Sequence, residues 1–149
     1  MNHSIRGIFL SSVLVAATVT GAHAQNDLSI EQVKDGLYAI IGSGGNVGVR
    51  VTREGVILID DKFPQNFAEI QELVAQVSDQ PVRYVINTHH HGDHAGGNVE
   101  YINFAEIIAH QNARDNMVRG DQDAPPRVVF KDQTAVYLGG VEVRAFYMG

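Results

Sequence analysis

The stretch Thr88-His89-His90-His91-Gly92-Asp93-His94 places four good metal donors, His89, His91, Asp93 and His94, within six positions. Imidazole nitrogen and carboxylate oxygen suit zinc, and also iron or manganese where carboxylates share the site. In an extended segment His89, His91 and Asp93 point to one side and His90 to the other, so His90 is expected to stay off a shared metal. Gly92 offers a sharp bend that would bring His94 beside Asp93. The plainer readings are a solvated His-rich loop or core histidines bonded to backbone. Four donors at this spacing, directly after an apolar run and directly before Ala95-Gly96-Gly97, point instead to a built site. The small residues would let backbone approach the donor loop closely. His110 reads equally as a turn or helix-cap residue and is left out of the donor set.

Such donors need a rigid platform. The apolar run Val82 to Asn87 ends where the donors begin and reads as a buried strand. Ahead of it, Pro64 suits the start of a helix in which Phe67, Ile70, Leu73, Val74 and Val77 recur on one face, closed by Pro81. Ahead of that, Val56-Ile57-Leu58-Ile59 is a second buried strand. Strand, helix and strand in this order make a crossover unit with a parallel pair. The donors then sit beyond the carboxyl end of a strand, where open α/β sheets bind their ligands.

Upstream, Leu37 to Ile41 and Val47 to Thr52 read as strands, and Arg53-Glu54-Gly55 as a tight turn. Gly42-Ser43-Gly44-Gly45 lacks a following Lys-Ser/Thr pair and opens into a strand, so it reads as a turn and not as a phosphate cradle. Downstream, Ile107 to Ala109 is a short strand, Gln111 to Val118 a short helix, and Gly120 to Arg127 a polar loop. Thr134 to Leu138 and Val141 to Tyr147 flank Gly139-Gly140 as a hairpin.

The 149 residues carry 44% hydrophobic and 19% charged side chains, ordinary values for one globular domain, here placed at 25–149. A net charge of −6 and no basic run argue against nucleic acid as a partner. Residues 1–24 differ: Arg6 is the only full charge, Ile8 to Val19 is apolar, and Ala22-His23-Ala24 has the form of a cleavage site. This reads as a secretory signal peptide, with a periplasmic or secreted product starting near Gln25. Ser11, Ser12 and Thr18 interrupt the stretch, which falls short of the roughly 20 apolar residues of a span, so no stable membrane insertion is expected after cleavage. Without cysteine, an exported chain must rely on its core alone.

The pattern His89-x-His91-x-Asp93-His94, with the strand, Asp, helix and strand before it, resembles the metallo-β-lactamase superfamily over most of the expected mature chain. The resemblance implies an α/β fold, the N-terminal half of an αββα four-layer sandwich with a mixed β-sheet and flanking helices. It implies two Zn2+ ions, the first held by His89 and His91, the second by Asp93 and His94, with a hydroxide between them as nucleophile. Asp93 would both ligate and take a catalytic part by orienting that nucleophile. Asp60, at the end of Val56 to Ile59, would support the donor loop from behind, while Asp61 is expected to be exposed. Paired divalent ions roughly 3.5–4 Å apart activate water, polarise a carbonyl or phosphoryl oxygen and stabilise a leaving group.

The family's third His, bridging Asp and final His have no counterpart after His94. The expectation is therefore a fragment truncated at the C-terminus, inactive alone, which needs the missing C-terminal half or another chain. The complete protein would hydrolyse a small-molecule ester, thioester, lactone or lactam. A β-lactamase is the leading specific alternative, and a non-catalytic metal-binding or partner-binding half-domain is the alternative from another class.

Overall fold

Residues 28–149 are described by a computed structural model, so the signal-peptide reading of residues 1–24 lies outside the described residues. The chain first lays down four antiparallel strands: β1 (Ser29–Lys34), β2 (Leu37–Ile41), β3 (Val47–Val51) and β4 (Val56–Ile59). It then changes to parallel pairing through β5 (Val82–Asn87), β6 (Glu106–His110) and β7 (Val128–Phe130). The seven strands stand in sequence order in one mixed sheet. The change of direction at β4/β5 is imposed by the crossover helix α1 (Phe67–Ala75), since a parallel neighbour needs a connection that returns across the sheet.

Three short helices complete the parallel half: α2 (Gly92–Ala95), α3 (Asn98–Tyr101) and α4 (Gln111–Arg119). Strands β8 (Gln133–Leu138) and β9 (Val141–Phe146) pair as the expected hairpin around Gly139-Gly140. Several boundaries differ from the sequence reading. Pro64–Asn66 is a separate 3-10 turn, so the helix proper begins at Phe67 and closes at Ala75, although Val77 still packs on the core. The edge strands β1 and β7 were not anticipated. β1 is almost wholly exposed and β7 only three residues long, and each is ordered by pairing to a neighbour, which local hydropathy does not report.

The sheet buries both faces. On one, Ile40, Val49, Leu58, Val85 and Ile107 pack against Ile70, Leu73 and Val74 of α1 and against Tyr101 of α3. On the other, Ile57, Ile86 and Ile108 meet Val136 of the hairpin, with Leu138, Val143 and Ala145 around them. The hairpin is thus the start of a second β-layer. Its turn is tied to the β3–β4 turn, where Arg53 Nε donates to Gly139 O at 3.3 Å. No helix among the described residues is long and apolar enough to cross a membrane.

Candidate metal centre

Everything around the donors hangs on the segment that leaves β4. Asp60, Asp61 and Lys62 are consecutive, ionisable and buried, at 3%, 0% and 0% exposure. Asp60 and Lys62 both adopt left-handed backbone, at φ 66° and 58°. Non-glycine residues rarely sit there, and such strain gathers where surrounding structure holds it for a purpose. The exposed position expected for Asp61 is overturned: Gly97 closes over it and donates its N–H to Asp61 Oδ1 at 3.0 Å. A Cβ on Gly97 would lie 2.5 Å from Asp61 O, so this close approach requires glycine. Among the described residues Asp61 Oδ2 has no hydrogen-bond partner. Burial, and after it the neighbouring Asp60 charge, pushes the Asp61 carboxyl up to about 8, against the opposing pull of the Gly97 N–H.

Asp60 organises the donor loop. Its Oδ1 accepts the Thr88 N–H and its Oδ2 the Thr88 hydroxyl, both at 2.7 Å. The same Oδ2 lies 2.7 Å from His94 Nδ1. A carboxylate accepts only, so the neutral His94 ring carries its proton on Nδ1 and leaves Nε2 bare. The Thr88 hydroxyl, having given its proton to Asp60, faces His89 Nδ1 at 3.0 Å with a lone pair. His89 is thereby set as the Nδ1–H tautomer and also leaves Nε2 bare. One carboxylate aims two imidazoles, one directly and one through Thr88. Sequence reasoning named Asp60 but passed over Thr88, whose signal was a hydroxyl residue between a strand end and a histidine run.

The loop departs from the extended path expected of it. Thr88 to His90 bend, His91 stands extended at the N-terminus of α2, and Asp93 and His94 lie on that helical turn. The change of direction comes from the helix start, while Gly92 has no left-handed backbone. His89 Nε2 and His91 Nδ1 are 3.2 Å apart, and His94 Nε2 and Asp93 Oδ2 are 3.6 Å apart. The His89 and His94 rings lie 4.1 Å apart, so the two pairs adjoin. His90 turns away towards α4, where its Nδ1 is 3.3 Å from Asn116 Nδ2. His110 caps α4 by accepting the Asn112 N–H.

The donor set can be tested against zinc on these distances. With zinc–nitrogen bonds of about 2.0–2.1 Å, adjacent donors of a tetrahedral site are about 3.3 Å apart. The His89/His91 pair fits one edge of such a site, and the Asp93/His94 pair is slightly wide of it. Burial first, then the neighbouring His94, lowers the pKa of His89 and favours the neutral ring that a metal needs. Among the described residues no three His, Asp or Glu side chains gather closely enough to hold an ion by themselves. The donors fit as two half-sites. A cleft of about 610 Å³ opens beside them, lined by Thr88, His89, His90, His110, Asn116 and Tyr147, and it reaches the donor set at His89 alone.

Mixed sheet, crossover helix and an Asp-anchored donor loop at the strand ends define the scaffold of a metallo-hydrolase. A family model described as the metallo-beta-lactamase superfamily matches residues 40–148, and the chain belongs to that superfamily. Among solved structures, it is similar to a subclass B3 metallo-beta-lactamase of Bradyrhizobium japonicum, at 25% identity and a TM-score of 0.64 over 76% of this chain and 49% of that one. A metallo-beta-lactamase from Cronobacter sakazakii matches at 24% identity and 0.64, over 76% and 50%. One from Pontibacter korlensis matches at 19% and 0.69, over 80% and 60%. The chain therefore spans about half to three-fifths of the length of these neighbours.

Proposed function

We propose that the chain supplies one half of the metal centre of an exported hydrolase acting on an ester, thioester, lactone or lactam. The observation that carries the reading is the Asp60 network, which leaves His89 Nε2 and His94 Nε2 bare beside His91 and Asp93. A hydrogen-bonded loop with no ligand to hold has no need of two bare nitrogens next to two further donors. His89 and His91 would hold one zinc ion, and Asp93 and His94 a second. Bound zinc supplies Lewis acidity and activates water. The chain's own part is to fix the donor tautomers, to place Asp93 where it can orient that water, and to shape one wall of the substrate site. The remaining donors come from further polypeptide, in the same chain or another, because each pair alone falls short of the three protein ligands usual in catalytic zinc sites.

Competition titration with a zinc indicator tests the donors. The chain is expected to bind zinc weakly, and the double substitution His89→Ala and His91→Ala to lower that affinity by more than the roughly 10–100-fold that loss of a group merely supporting a ligand costs. Binding unchanged by the pair of substitutions overturns the assignment. Activity on a chromogenic β-lactam or ester is expected only once further polypeptide completes the donor set. Subclass B3 lactamases among the structural neighbours favour a lactam within the proposed substrate range.

Export rests on the apolar stretch Ile8 to Val19 and on Ala22-His23-Ala24. N-terminal sequencing of the protein recovered from the periplasm or medium is expected to begin near Gln25. A product that still begins at Met1 excludes processing.

A further inference from the structure

Lys62 is a buried group for which the hydrolase reading gives no use. It is fully buried, with its ammonium turned to the β2–β3 loop, where Nζ donates to Ser43 O at 2.8 Å and also to Gly45 O. Those carbonyls stand 19 and 17 residues away in the chain. A buried ammonium is costly unless its donors are used, and two backbone acceptors from one loop satisfy most of them. The contact fastens the glycine-rich loop to the same left-handed segment that carries Asp60.

What the loop touches gives this anchor its meaning. A Cβ on Gly45 would fall 2.5 Å from both Cε1 and Nε2 of His94 and 2.8 Å from Asp93 O. A Cβ on Gly44 would lie 3.2 Å from Asp93 Cβ and from the Phe63 ring. The loop therefore lies directly against the Asp93/His94 pair, on the bare-nitrogen edge of His94. Bare backbone fits there, and a single methyl group does not.

We infer that Lys62 is a positioning residue: through the carbonyls of Ser43 and Gly45 it holds the 43–45 loop as the wall of the Asp93/His94 half-site, and so sets the room at His94 Nε2. Asp60 fixes that imidazole from its Nδ1 side and Lys62 fixes what faces its other nitrogen. The functional meaning rests on reading Asp93 and His94 as metal donors. The anchor itself is a property of the metal-free chain, so the readouts are taken without metal and its failure is distinguishable from failed zinc binding.

The experiment uses the full chain, with amide hydrogen exchange and long-range proton–nitrogen spectra of the imidazoles. In Lys62→Met, exchange at Gly44, Gly45 and Asn46 is expected to rise about tenfold or more while β3 and β5 keep their protection, as for a local opening. The His94 ring signals shift and those of His110 stay in place. Lys62→Gln, which keeps a donor, recovers part of both effects. Gly45→Ala, which keeps the Lys62 ammonium and crowds His94 directly, shifts the His94 ring signals. An unmoved His94 in folded Lys62→Met overturns the inference, as does a global loss of protection with no recovery by Lys62→Gln. If Lys62→Met does not fold, Gly45→Ala decides, and unchanged His94 signals there overturn the wall.

Discussion

Asp60→Ala is expected to lower stability by about 3 kcal/mol or more and zinc affinity by about 10–100-fold. The carboxylate is almost fully buried and accepts from the Thr88 N–H, the Thr88 hydroxyl and His94 Nδ1. Alanine removes three hydrogen bonds to a carboxylate, each worth about 1.5–3 kcal/mol, and water restores part of this because Thr88 is exposed and His94 only partly buried. The backbone adds to the effect, because φ is 66° at this position and alanine tolerates left-handed geometry poorly. Asp60→Asn separates the two contributions. Asparagine accepts left-handed backbone but can use only one oxygen, so it should keep more of the stability than alanine while losing the alignment of His89 with His94. Urea denaturation with a zinc competition titration reads both quantities. Two variants matching the parent chain in stability and in affinity would remove Asp60 from the centre of the site.

Asp61 gives the second large effect, and its sign runs opposite to that of an ordinary carboxylate. Burial, followed by repulsion from Asp60, pushes its carboxyl up to about 8 from 3.8. Between about pH 4 and 8 the folded chain thus keeps a proton that the unfolded chain releases. Stability attributable to Asp61 is complete at the acid end of that window and falls as pH rises towards 8. Asp61→Asn keeps the shape, can still accept the Gly97 N–H, and has nothing to ionise. The variant should match the parent chain near pH 4 and exceed it at pH 8 by about 2–4 kcal/mol, a figure reduced from the full linkage value for relaxation around the buried charge. Urea denaturation curves across this range supply the measurement. Parallel stability profiles for the two proteins would mean that Asp61 ionises freely in the native state.

The donor run and its platform were readable because they are local. Val56 to Ile59, the Phe67 to Val74 stripe and Val82 to Asn87 each announce their element by hydrophobic spacing, and His89, His91, Asp93 and His94 follow at once. The hairpin at Gly139-Gly140 was readable for the same reason, while β1 and β7 were not, since pairing and not composition orders them.

Residue order alone sets which atoms are available for chemistry, the end of the strands at which they emerge, and the crossover that carries them there. How those atoms are held depends on contacts between distant segments. Asp60 reaches His94 across 34 residues, and Lys62 reaches the loop carbonyls across 17 and 19. Asp61, which hydropathy places in water, is sealed beneath Gly97. The physical reason is that a charged side chain enters the interior only where distant backbone and side chains satisfy it, and no window of neighbouring residues contains those partners.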